Sequence, residues 1–391
     1  MKIIVASDSF KGCMSSKEVE ESIKKGILKA NDAHEVLTFP MADGGEGTAM
    51  VFCDIIKGKM IDVLTTDAYG KNVFTKYCIS QDGNLAVMDV ASCIGLNMTP
   101  KEKRNPMIAS SKGVGIMMKD ALSRGCKKII IGLGGSATND GGMGVLSEFG
   151  VRFYNSKREL LVPSVYALSQ IAFVDKRYAR LPKDVEIICA CDVKNHLLGK
   201  NGATYVFGKQ KGIYLNQMSE VERGMAHYCM KLKQTFHVNV NEFEGSGAAG
   251  GIGSVLLGVM QAKRVSGIDL VVEYSGLKEH LQNADLVITG EGQTDAQTLY
   301  GKLPLGIAHL ARSYSVPCVC LSGALGLGYQ SLYDEGMIGI FSSADRAMSF
   351  QMALQTGSEK LEALAFSLTK FMDGIRTVSY THLTLPTIRL V

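Results

Sequence analysis

The chain has 391 residues, of which 46% are hydrophobic and 20% are charged, and its formal net charge at pH 7 is +4. A chain of this length usually exceeds what one hydrophobic core organises, so two α/β lobes are expected. Because the net charge is small and long basic runs are missing, the composition excludes the electrostatic pattern of a nucleic-acid-binding protein.

Two features of the sequence favour a cytoplasmic protein without a membrane partner. The apolar run at 3–6 is too short for the hydrophobic region of a signal peptide, and no stretch is apolar for long enough to cross a membrane. The ten cysteines form no C-x-x-C pair and are expected to be free thiols. We expect a monomer or a homodimer.

The N-terminal 60 residues predict alternating strands and helices. A strand at 2–6 precedes a helix that ends near Ala30, and Ser15 and Glu18 form the capping box that is typical of a helix start. A second strand at 35–39 leads into a glycine-rich loop and another helix. This order is the opening of a βαβ fold.

The same alternation returns near the C-terminus and supplies three more strands. Its predicted elements are a strand at 285–289, a helix at 303–313, a strand at 316–321, a short helix, a strand at 337–341, and a final helix that carries Leu361, Leu364, Leu368 and Phe371. With the two N-terminal strands, five parallel strands are therefore available.

The middle of the chain has a different pattern. Residues 60–100 predict a β-meander with turns at 67–71 and 81–84, and a helix at 109–124 and a strand at 127–133 follow.

The element order predicts the domain organisation. We expect a Rossmann-like parallel-sheet domain built from residues 1–60 and 271–377, interrupted by a second, inserted α/β domain at 61–270. Residues 378–391 resemble translated vector sequence, and we interpret them as a non-native tail; a genuine lineage-specific tail is the alternative, and in either case we expect the segment to pack poorly.

Candidate functional residues lie where predicted strands end, because ligands of open α/β sheets bind at that edge. Asp8, Ser9 and Lys11 follow the first strand, although this loop could simply lead into a helix. In the next loop, Asp43 and Glu46 flank Gly44 and Gly45, so contacts to a metal or a hydroxyl are plausible, and capping of the following helix by Asp43 is the alternative.

Two further loops are suited to phosphate. The loop at 134–144 follows an apolar strand, and its backbone N–H groups could cradle phosphate at a helix N-terminus. Its candidate ligand contacts are Gly134, Gly135, Ser136, Thr138, Asn139 and Asp140. The loop at 290–302 combines two carboxylates and a lysine, which suit Mg²⁺ and phosphate together. Its candidates are Glu291, Asp295, Gln297, Thr298 and Lys302.

Two other segments leave alternatives open. Asp192 follows the strand predicted at 186–190, whereas the nearby His196 is more typical of a surface or packed histidine. Residues 245–250 read G-x-G-x-x-G, with Asp269 about twenty residues later, so Gly247, Gly250 and Gly251 could contact a nucleotide. This pattern defines an alternative function, an NAD(P)-dependent oxidoreductase, but the preceding residues are polar and do not predict a strand.

The best-known kinase signatures are missing from the sequence. It contains neither G-x-x-x-x-G-K-[ST] nor the H-R-D and D-F-G motifs of protein kinases. The spacing of the glycine and carboxylate loops supports an α/β enzyme that handles a phosphorylated ligand, and it matches neither of these two kinase classes.

The ordered loops resemble the signature segments of the bacterial glycerate kinase family over about residues 1–375. The matching segments are 7–12, 41–48, 105–106, 134–144, 191–193, 199–212, 245–253 and 290–304. The resemblance implies a Rossmann-like domain interrupted by a second domain, with ATP and D-glycerate as substrates. It favours 2-phosphoglycerate over 3-phosphoglycerate as the product.

The resemblance also suggests roles for the candidate residues. One of Asp192 and Asp295 would orient or deprotonate the attacking hydroxyl, and the other, with Asp43, Glu46 or Glu291, would hold Mg²⁺. Lys11 and Lys302 would counter carboxylate or phosphate charge. The sequence departs from the family pattern at three positions: Lys194, His196 and Gln293. A non-catalytic binding protein is a third, less favoured interpretation.

Overall fold

The computed structural model describes residues 1–300 and 302–383, with side chains for 1–299 and 302–376. By internal contacts the chain divides into two compact units. Unit 1 combines Met1–Ala42 with Ser275–Val391, and unit 2 is Asp43–Tyr274.

The elements of the described chain are as follows. The strands are β1 Lys2–Val5, β2 Glu35–Thr38, β3 Lys59–Thr66, β4 Asn72–Ile79, β5 Leu85–Asp89, β6 Lys128–Gly132, β7 Arg152–Tyr154, β8 Phe173–Asp175, β9 Glu186–Ala190, β10 Lys263–Val265, β11 Leu286–Thr289, β12 Gln293–Thr294, β13 Cys318–Ser322, β14 Ala324–Leu325 and β15 Met337–Ser342. The helices are α1 Ser16–Ala30, α2 Thr48–Ile55, α3 Ala91–Ile94, α4 Lys112–Ser123, α5 Met143–Glu148, α6 Val165–Leu168, α7 Ala203–Lys211, α8 Met218–Phe236, α9 Ala248–Ser254, α10 Gly267–Ser275, α11 Leu277–Leu281, α12 Leu303–Ser313 and α13 Phe350–Leu383.

Unit 1 is built on a parallel sheet with the strand order β15-β13-β11-β1-β2. The prediction of five parallel strands is therefore confirmed. The capping box at the start of α1 is also present: the Glu18 backbone N–H donates to Ser15 Oγ, and the Glu18 carboxylate accepts from the Ser15 backbone N–H.

The hydrophobic core of unit 1 lies where α1 and α13 pack together beside the sheet. Its fully buried side chains include Val19, Ile23, Ile27, Leu361 and Ala365. The helices approach closely at Gly26, where a Cβ would overlap the carbonyl oxygen of Glu362. Leu361, Leu364 and Leu368 of the predicted final helix lie on the packed face. Phe371 of the same helix is 65% exposed.

Unit 2 is built on a mixed sheet with the strand order β10-β9-β6-β5-β4-β3. The strands β3, β4 and β5 pair antiparallel, which confirms the predicted meander, and β5, β6, β9 and β10 pair parallel. This unit has a hydrophobic core of its own, formed largely by the sheet with α4, α5, α8 and α9.

The units differ from the predicted domains in where they begin and end. The predicted first segment reached residue 60, but residues 43–60 belong to unit 2. The reason is packing, because α2 lies against β4 and β5 and its first N–H groups donate to Asp89. At the other border, the Tyr274 ring contacts Phe52 edge to face, so unit 2 extends to Tyr274 rather than to residue 270.

The last helix runs further than the sequence predicts. We placed the start of an irregular tail at residue 378, but α13 continues to Leu383. The rest of that tail, residues 384–391, lies outside the described residues. None of the helices that the structure describes is both long and apolar enough to cross a membrane.

Candidate active site

In unit 1, three loops meet at the carboxyl ends of β1, β11 and β13. The backbone N–H of Asp8 donates to the carbonyl oxygen of Gly290 at 2.9 Å, and that of Gly323 donates to the carbonyl oxygen of Glu291 at 3.1 Å. Gly290 is required here, because a Cβ would overlap the carbonyl oxygen of Leu321. The structure thus brings the predicted loops at 7–12 and 290–295 together.

The Glu291 carboxylate is the buried centre of this cluster. Its Oε1 accepts from Thr298 Oγ1 at 2.6 Å and from Thr294 Oγ1 at 3.2 Å, and its Oε2 accepts from Lys302 Nζ at 3.1 Å. Three protein donors therefore occupy the carboxylate that we predicted as a metal ligand. The Lys302 side chain is 40% exposed, and its ammonium group has further hydrogens for a ligand.

Asp295 is held by its neighbours in the same loop. Its Oδ1 accepts from the backbone N–H of Gln297 at 2.8 Å, and its Oδ2 accepts from Gln293 Nε2 at 3.2 Å. The side chain is half-buried and Gln297 is exposed. Asp295 therefore caps the short 3-10 turn Ala296–Tyr300 and still has access to solvent.

A buried glutamate on α1 holds the first loop by a hydrogen bond to its backbone. Glu20 on α1 accepts from the backbone N–H of Ser7 at 3.2 Å, and Ser16 Oγ donates to the Ser7 carbonyl oxygen at 2.6 Å. Burial raises the pKa of Glu20 well above its ordinary value. In the loop itself, Asp8 Oδ1 accepts from the backbone N–H of Ser9 at 2.7 Å, and Lys11 is exposed.

In unit 2, Asp192 lies just beyond the carboxyl end of β9. Its Oδ1 accepts from the backbone N–H of Gly267 at 3.1 Å, while Oδ2 is buried and no described residue donates to it. Burial raises the pKa of Asp192 to about 6; the nearby charge of Asp43 adds to this rise, and the nearby Ser266 hydroxyl opposes it. A carboxylate in this state can accept a proton near neutral pH.

The loop that carries Asp43 packs against the ends of β6 and β9. Asp43 Oδ1 accepts from the backbone N–H of Gly45 at 2.9 Å. Gly44 has φ +80°, and a Cβ there would lie 2.6 Å from the carbonyl oxygen of Ala190. Glu46 is exposed and accepts from Asn97 Nδ2 at 3.1 Å. Asp43 lies near enough to Asp192 for its charge to raise the pKa of that carboxyl.

Sequence reasoning missed Asp89, the last residue of β5. The buried carboxylate accepts from the backbone N–H groups of Gly47 at 3.1 Å and Ala49 at 3.0 Å, so it caps α2 and fixes the end of the Asp43 loop. Burial raises its pKa to about 7. An aspartate that ends an apolar strand was the signal that could have revealed it.

The polar side chains of the loop at 134–144 lie inside unit 2. Ser136, Thr138, Asn139 and Asp140 are all buried, and ligand contact by this loop stays a prediction that rests on its backbone N–H groups. Asp140 Oδ2 accepts from the backbone N–H and the hydroxyl of Ser111 at 2.8 and 2.9 Å, and from the Gly144 N–H at 3.1 Å. In the same loop Gly134 is half-buried and Gly135 is exposed.

The glycines at 247–251 also serve packing. The Gly247 N–H donates to the carbonyl oxygen of Asn195 at 2.9 Å, and the Gly250 carbonyl oxygen accepts from the Gly141 N–H at 3.0 Å. A Cβ at Gly251 would lie 2.6 Å from Gly141 Cα. Close backbone packing therefore requires glycine at these positions, and nucleotide contact by Gly247, Gly250 and Gly251 stays a prediction.

Comparison with known proteins identifies the family. The sequence model described as "Glycerate kinase family" matches residues 3–373. A glycerate kinase from Bacillus cereus is 38% identical over 367 residues, covering 93% of this chain and 96% of the relative. A glycerate 2-kinase from Escherichia coli K12 is 37% identical over 344 residues, covering 88% and 90%. A crystal structure reported under the name glycerate kinase 2, from Salmonella typhimurium LT2, has a TM-score of 0.83 at 34% identity and covers 96% of this chain and 99% of its own.

The chain belongs to the glycerate kinase family. The resemblance stated from the sequence is confirmed, and the oxidoreductase alternative finds no support. The structure agrees with this, because the G-x-G-x-x-G segment of this family member follows a 3-10 turn at Val240–Glu242 rather than a strand.

The three departures from the glycerate kinase pattern have different settings. Gln293 Nε2 bonds to Asp295, as described above. His196 is exposed, and its Nδ1 lies 2.8 Å from the carbonyl oxygen of Asn241, to which it donates when protonated at that nitrogen. Lys194 is exposed. Gln293 is therefore the departure that directly contacts a candidate site residue.

Proposed function

We propose that this chain transfers the γ-phosphoryl group of ATP to the 2-hydroxyl of D-glycerate. Family membership supports the reaction, and the name of the Escherichia coli relative, glycerate 2-kinase, supports the choice of hydroxyl. The observation that carries the proposal is the buried Asp192 Oδ2, which no described residue satisfies, at a strand end of the kind where open α/β sheets bind ligands.

Asp192 is the group we assign to the attacking hydroxyl. Phosphoryl transfer requires an oriented nucleophile and neutralised charge on the phosphate oxygens rather than covalent chemistry by the protein. The Asp192 carboxyl has a pKa of about 6 and one oxygen without a hydrogen-bond partner, so it can accept a hydrogen bond from the substrate hydroxyl and then its proton. The Gly267 N–H fixes the other oxygen and so orients the carboxylate.

Asp43 and Glu46 are the residues we assign to Mg²⁺. Mg²⁺ is commonly held by one or two carboxylates together with substrate phosphates, and not by a dedicated protein cage. The donor set fits this, because Asp43 and Glu46 are two carboxylates of one loop and Glu46 is exposed. Among the side chains described, at 1–299 and 302–376, no three His, Cys, Asp or Glu are grouped as a metal site. When bound, Mg²⁺ would neutralise phosphate charge. Glu291 suits this role less well, because Lys302 and two hydroxyls occupy it.

Unit 1 has a group of its own that is suited to binding phosphate. Glu291 anchors the Lys302 ammonium, and the remaining ammonium hydrogens can bind a phosphate or carboxylate oxygen. Lys11 is exposed in the neighbouring loop and has the same capacity. The sequence offered Asp295 and Asp192 as alternative candidate bases. We propose that Asp295 orders the loop that carries Lys302.

The proposal is tested by incubating the purified chain with D-glycerate, ATP and Mg²⁺ and measuring ADP release. The product should be converted to phosphoenolpyruvate by enolase alone, which distinguishes 2-phosphoglycerate from 3-phosphoglycerate. Asp192→Asn should lower kcat roughly a thousandfold, because it removes the proton acceptor. Asp295→Asn should have a smaller effect on kcat if its role is to order the loop.

The matched control is Asp184→Asn, which changes an exposed carboxylate of the same unit. It should leave kcat unchanged. The proposed function is wrong if the wild-type chain releases no ADP with D-glycerate over a range of pH and divalent metals. Near wild-type turnover by Asp192→Asn would remove Asp192 from the catalytic group.

A further inference from the structure

A lysine lies fully inside unit 2, beneath the glycine loop. Lys211, the last residue of α7, is only 3% exposed, and its Nζ donates to the carbonyl oxygen of Thr138 at 2.7 Å and to Ser136 Oγ at 3.0 Å. Both acceptors are neutral. Burying an amine is costly, and a purely hydrophobic contact would be made by an apolar side chain instead.

The helix α7 holds the turn at 134–139 at two points. At its start, Thr204 Oγ1 accepts from Asn139 Nδ2 at 3.3 Å, and at its end Lys211 binds Ser136 and Thr138. The backbone of residues 94–96 holds the same turn from another side, where the Leu96 N–H donates to the Gly135 carbonyl oxygen at 2.7 Å. These hydrogen bonds from α7 and from residues 94–96 therefore fix the position of the turn.

The turn at 134–139 contacts and supports the loop that carries Asp43. The Gly134 N–H donates to the Gly44 carbonyl oxygen at 3.1 Å. The two backbones are so close that a Cβ at Gly134 would lie 2.7 Å from Gly45 Cα. Because there is no space between them, a displacement of the turn must also displace Gly44 and the adjacent Asp43.

We propose that Lys211 is a positioning residue of the reaction, which fixes the turn at 134–139 and, through Gly134 and Gly44, the placement of Asp43. The inference rests on the proposed function for its kinetic result, whereas its structural result is independent of activity. Lys211 does not itself contact a substrate in this account.

The electrostatic setting of Lys211 is compatible with this role. Burial lowers its pKa to about 7, and the carboxylate of Asp140 opposes that shift. Neutral and protonated lysine can both donate the two hydrogen bonds that are observed. The support of the turn therefore does not require that Lys211 remain charged.

The test compares Lys211→Met, Lys211→Arg and the control Lys209→Met, which changes an exposed lysine on the same helix. Hydrogen–deuterium exchange is followed at peptides that cover 133–140 and 43–47. In Lys211→Met, exchange in both peptides should become about tenfold faster, because the turn opens more easily. Lys211→Arg should restore most of the protection, and Lys209→Met should match the wild type.

Steady-state kinetics with D-glycerate and ATP separate positioning from substrate binding. In Lys211→Met, kcat should fall about tenfold while each KM changes less than about threefold, since misplacement affects the reacting groups more than ground-state binding. If Lys211→Met does not fold, Ser136→Ala replaces it, because it removes one acceptor of Nζ. About threefold faster exchange is then expected.

The outcomes separate this inference from the proposed function. Unchanged exchange in both peptides would overturn the inference whether or not the wild-type chain is active. Faster exchange with an unchanged kcat would also overturn it, since the turn would then not position the reaction. A wild-type chain without activity refutes the proposed function, and the exchange result then decides alone whether Lys211 holds the Asp43 loop.

Discussion

Asp89 and Asp192 show how two aspartates at strand ends of one sheet take different tasks. Both are buried enough for their pKa to be raised, to about 7 and about 6. The two oxygens of Asp89 accept from backbone N–H groups at the start of α2, whereas Asp192 keeps one oxygen that no described residue binds. The difference between a helix cap and a candidate base therefore lies in unpaired hydrogen-bonding capacity.

The pKa of Asp192 predicts how activity depends on pH. A base must be ionised to accept a proton, so kcat/KM should fall about tenfold per pH unit below about 6 and level off above it. Asp269 is an exposed carboxylate whose charge raises the pKa of Asp192, so Asp269→Asn should move the inflection to lower pH. The measurement is kcat/KM between about pH 4.5 and about pH 8 for both proteins.

Two results would contradict this assignment. One is a wild-type inflection near the ordinary aspartate value, which would mean that a solvated carboxyl controls the rate. The other is an inflection that moves upward in Asp269→Asn, because removal of a negative charge cannot make a neighbouring carboxylate more basic.

At the residue scale the sequence located loops better than it assigned side chains. Asp192 and Asp295 were recognisable because a carboxylate after an apolar strand is visible in the sequence. Asp140 looked equally suitable, but Ser111, a residue 29 positions earlier in the chain, binds and buries it. Lys211 gave no signal at all, since a lysine in the last turn of a helix is normally solvated. Burial and long-range partners decide these roles.

At the element scale, α9 is interrupted so that two backbones can pack closely. Ala249, Gly250 and Gly251 all have positive φ angles, of 52°, 66° and 93°. The interruption places Gly250 against Thr138 and Gly251 against Gly141, so this segment packs closely against the turn at 134–139. The G-x-G-x-x-G pattern was visible in the sequence, but its use depends on a contact more than a hundred residues away.

This packing predicts a large cost for one methyl group. Gly250→Ala should lower the free energy of unfolding by about 3 kcal/mol or more, because its Cβ would overlap the Thr138 carbonyl oxygen and its φ is unfavourable for alanine. The control is Gly83→Ala, where φ is +73° but no atom lies within 4 Å of the added Cβ. Chemical denaturation of both variants measures the difference. Equal losses of stability would show that φ alone, and not close packing, requires Gly250.

Most elements could be predicted from the sequence because their periodicity and caps are local. The capping box at Ser15 and the helix at Leu303–Ser313 were predicted with the observed bounds. The assignment of α2 to a unit could not be predicted, because it depends on packing against β4 and β5, which follow it in the sequence.

At the scale of the whole molecule, each unit has a separate hydrophobic core, and that of unit 1 depends on both ends of the chain. Leu361, Ala365 and Leu368 on α13 share the core with Val19 and Ile23 on α1. Unit 2 draws its core from residues 43–274 alone. Loss of α13 should therefore affect one unit and not the other.

A truncation tests that independence. Deleting residues 350–391 removes α13 and exposes the apolar face of α1, at a cost of about 5 kcal/mol or more, which is comparable to the total stability of many domains. Unit 1 should become sensitive to protease while fragments of unit 2 persist, as mass spectrometry of a limited digest would show. Deleting only 378–391 keeps Leu361, Ala365 and Leu368 and should leave unit 1 protected. A protease-resistant unit 1 without α13 would refute the prediction.

The position of β1 in its sheet has a consequence for synthesis on the ribosome. β1 pairs with β2 on one side and with β11 on the other, and Ile3 lies opposite Leu286. While the chain is being translated, all of unit 2 emerges before the second neighbour of β1 exists. The β1–α1–β2 segment therefore keeps an unpaired strand edge until β11, at Leu286–Thr289, has been synthesised. β1 thus completes its native contacts only after all of unit 2 has been made.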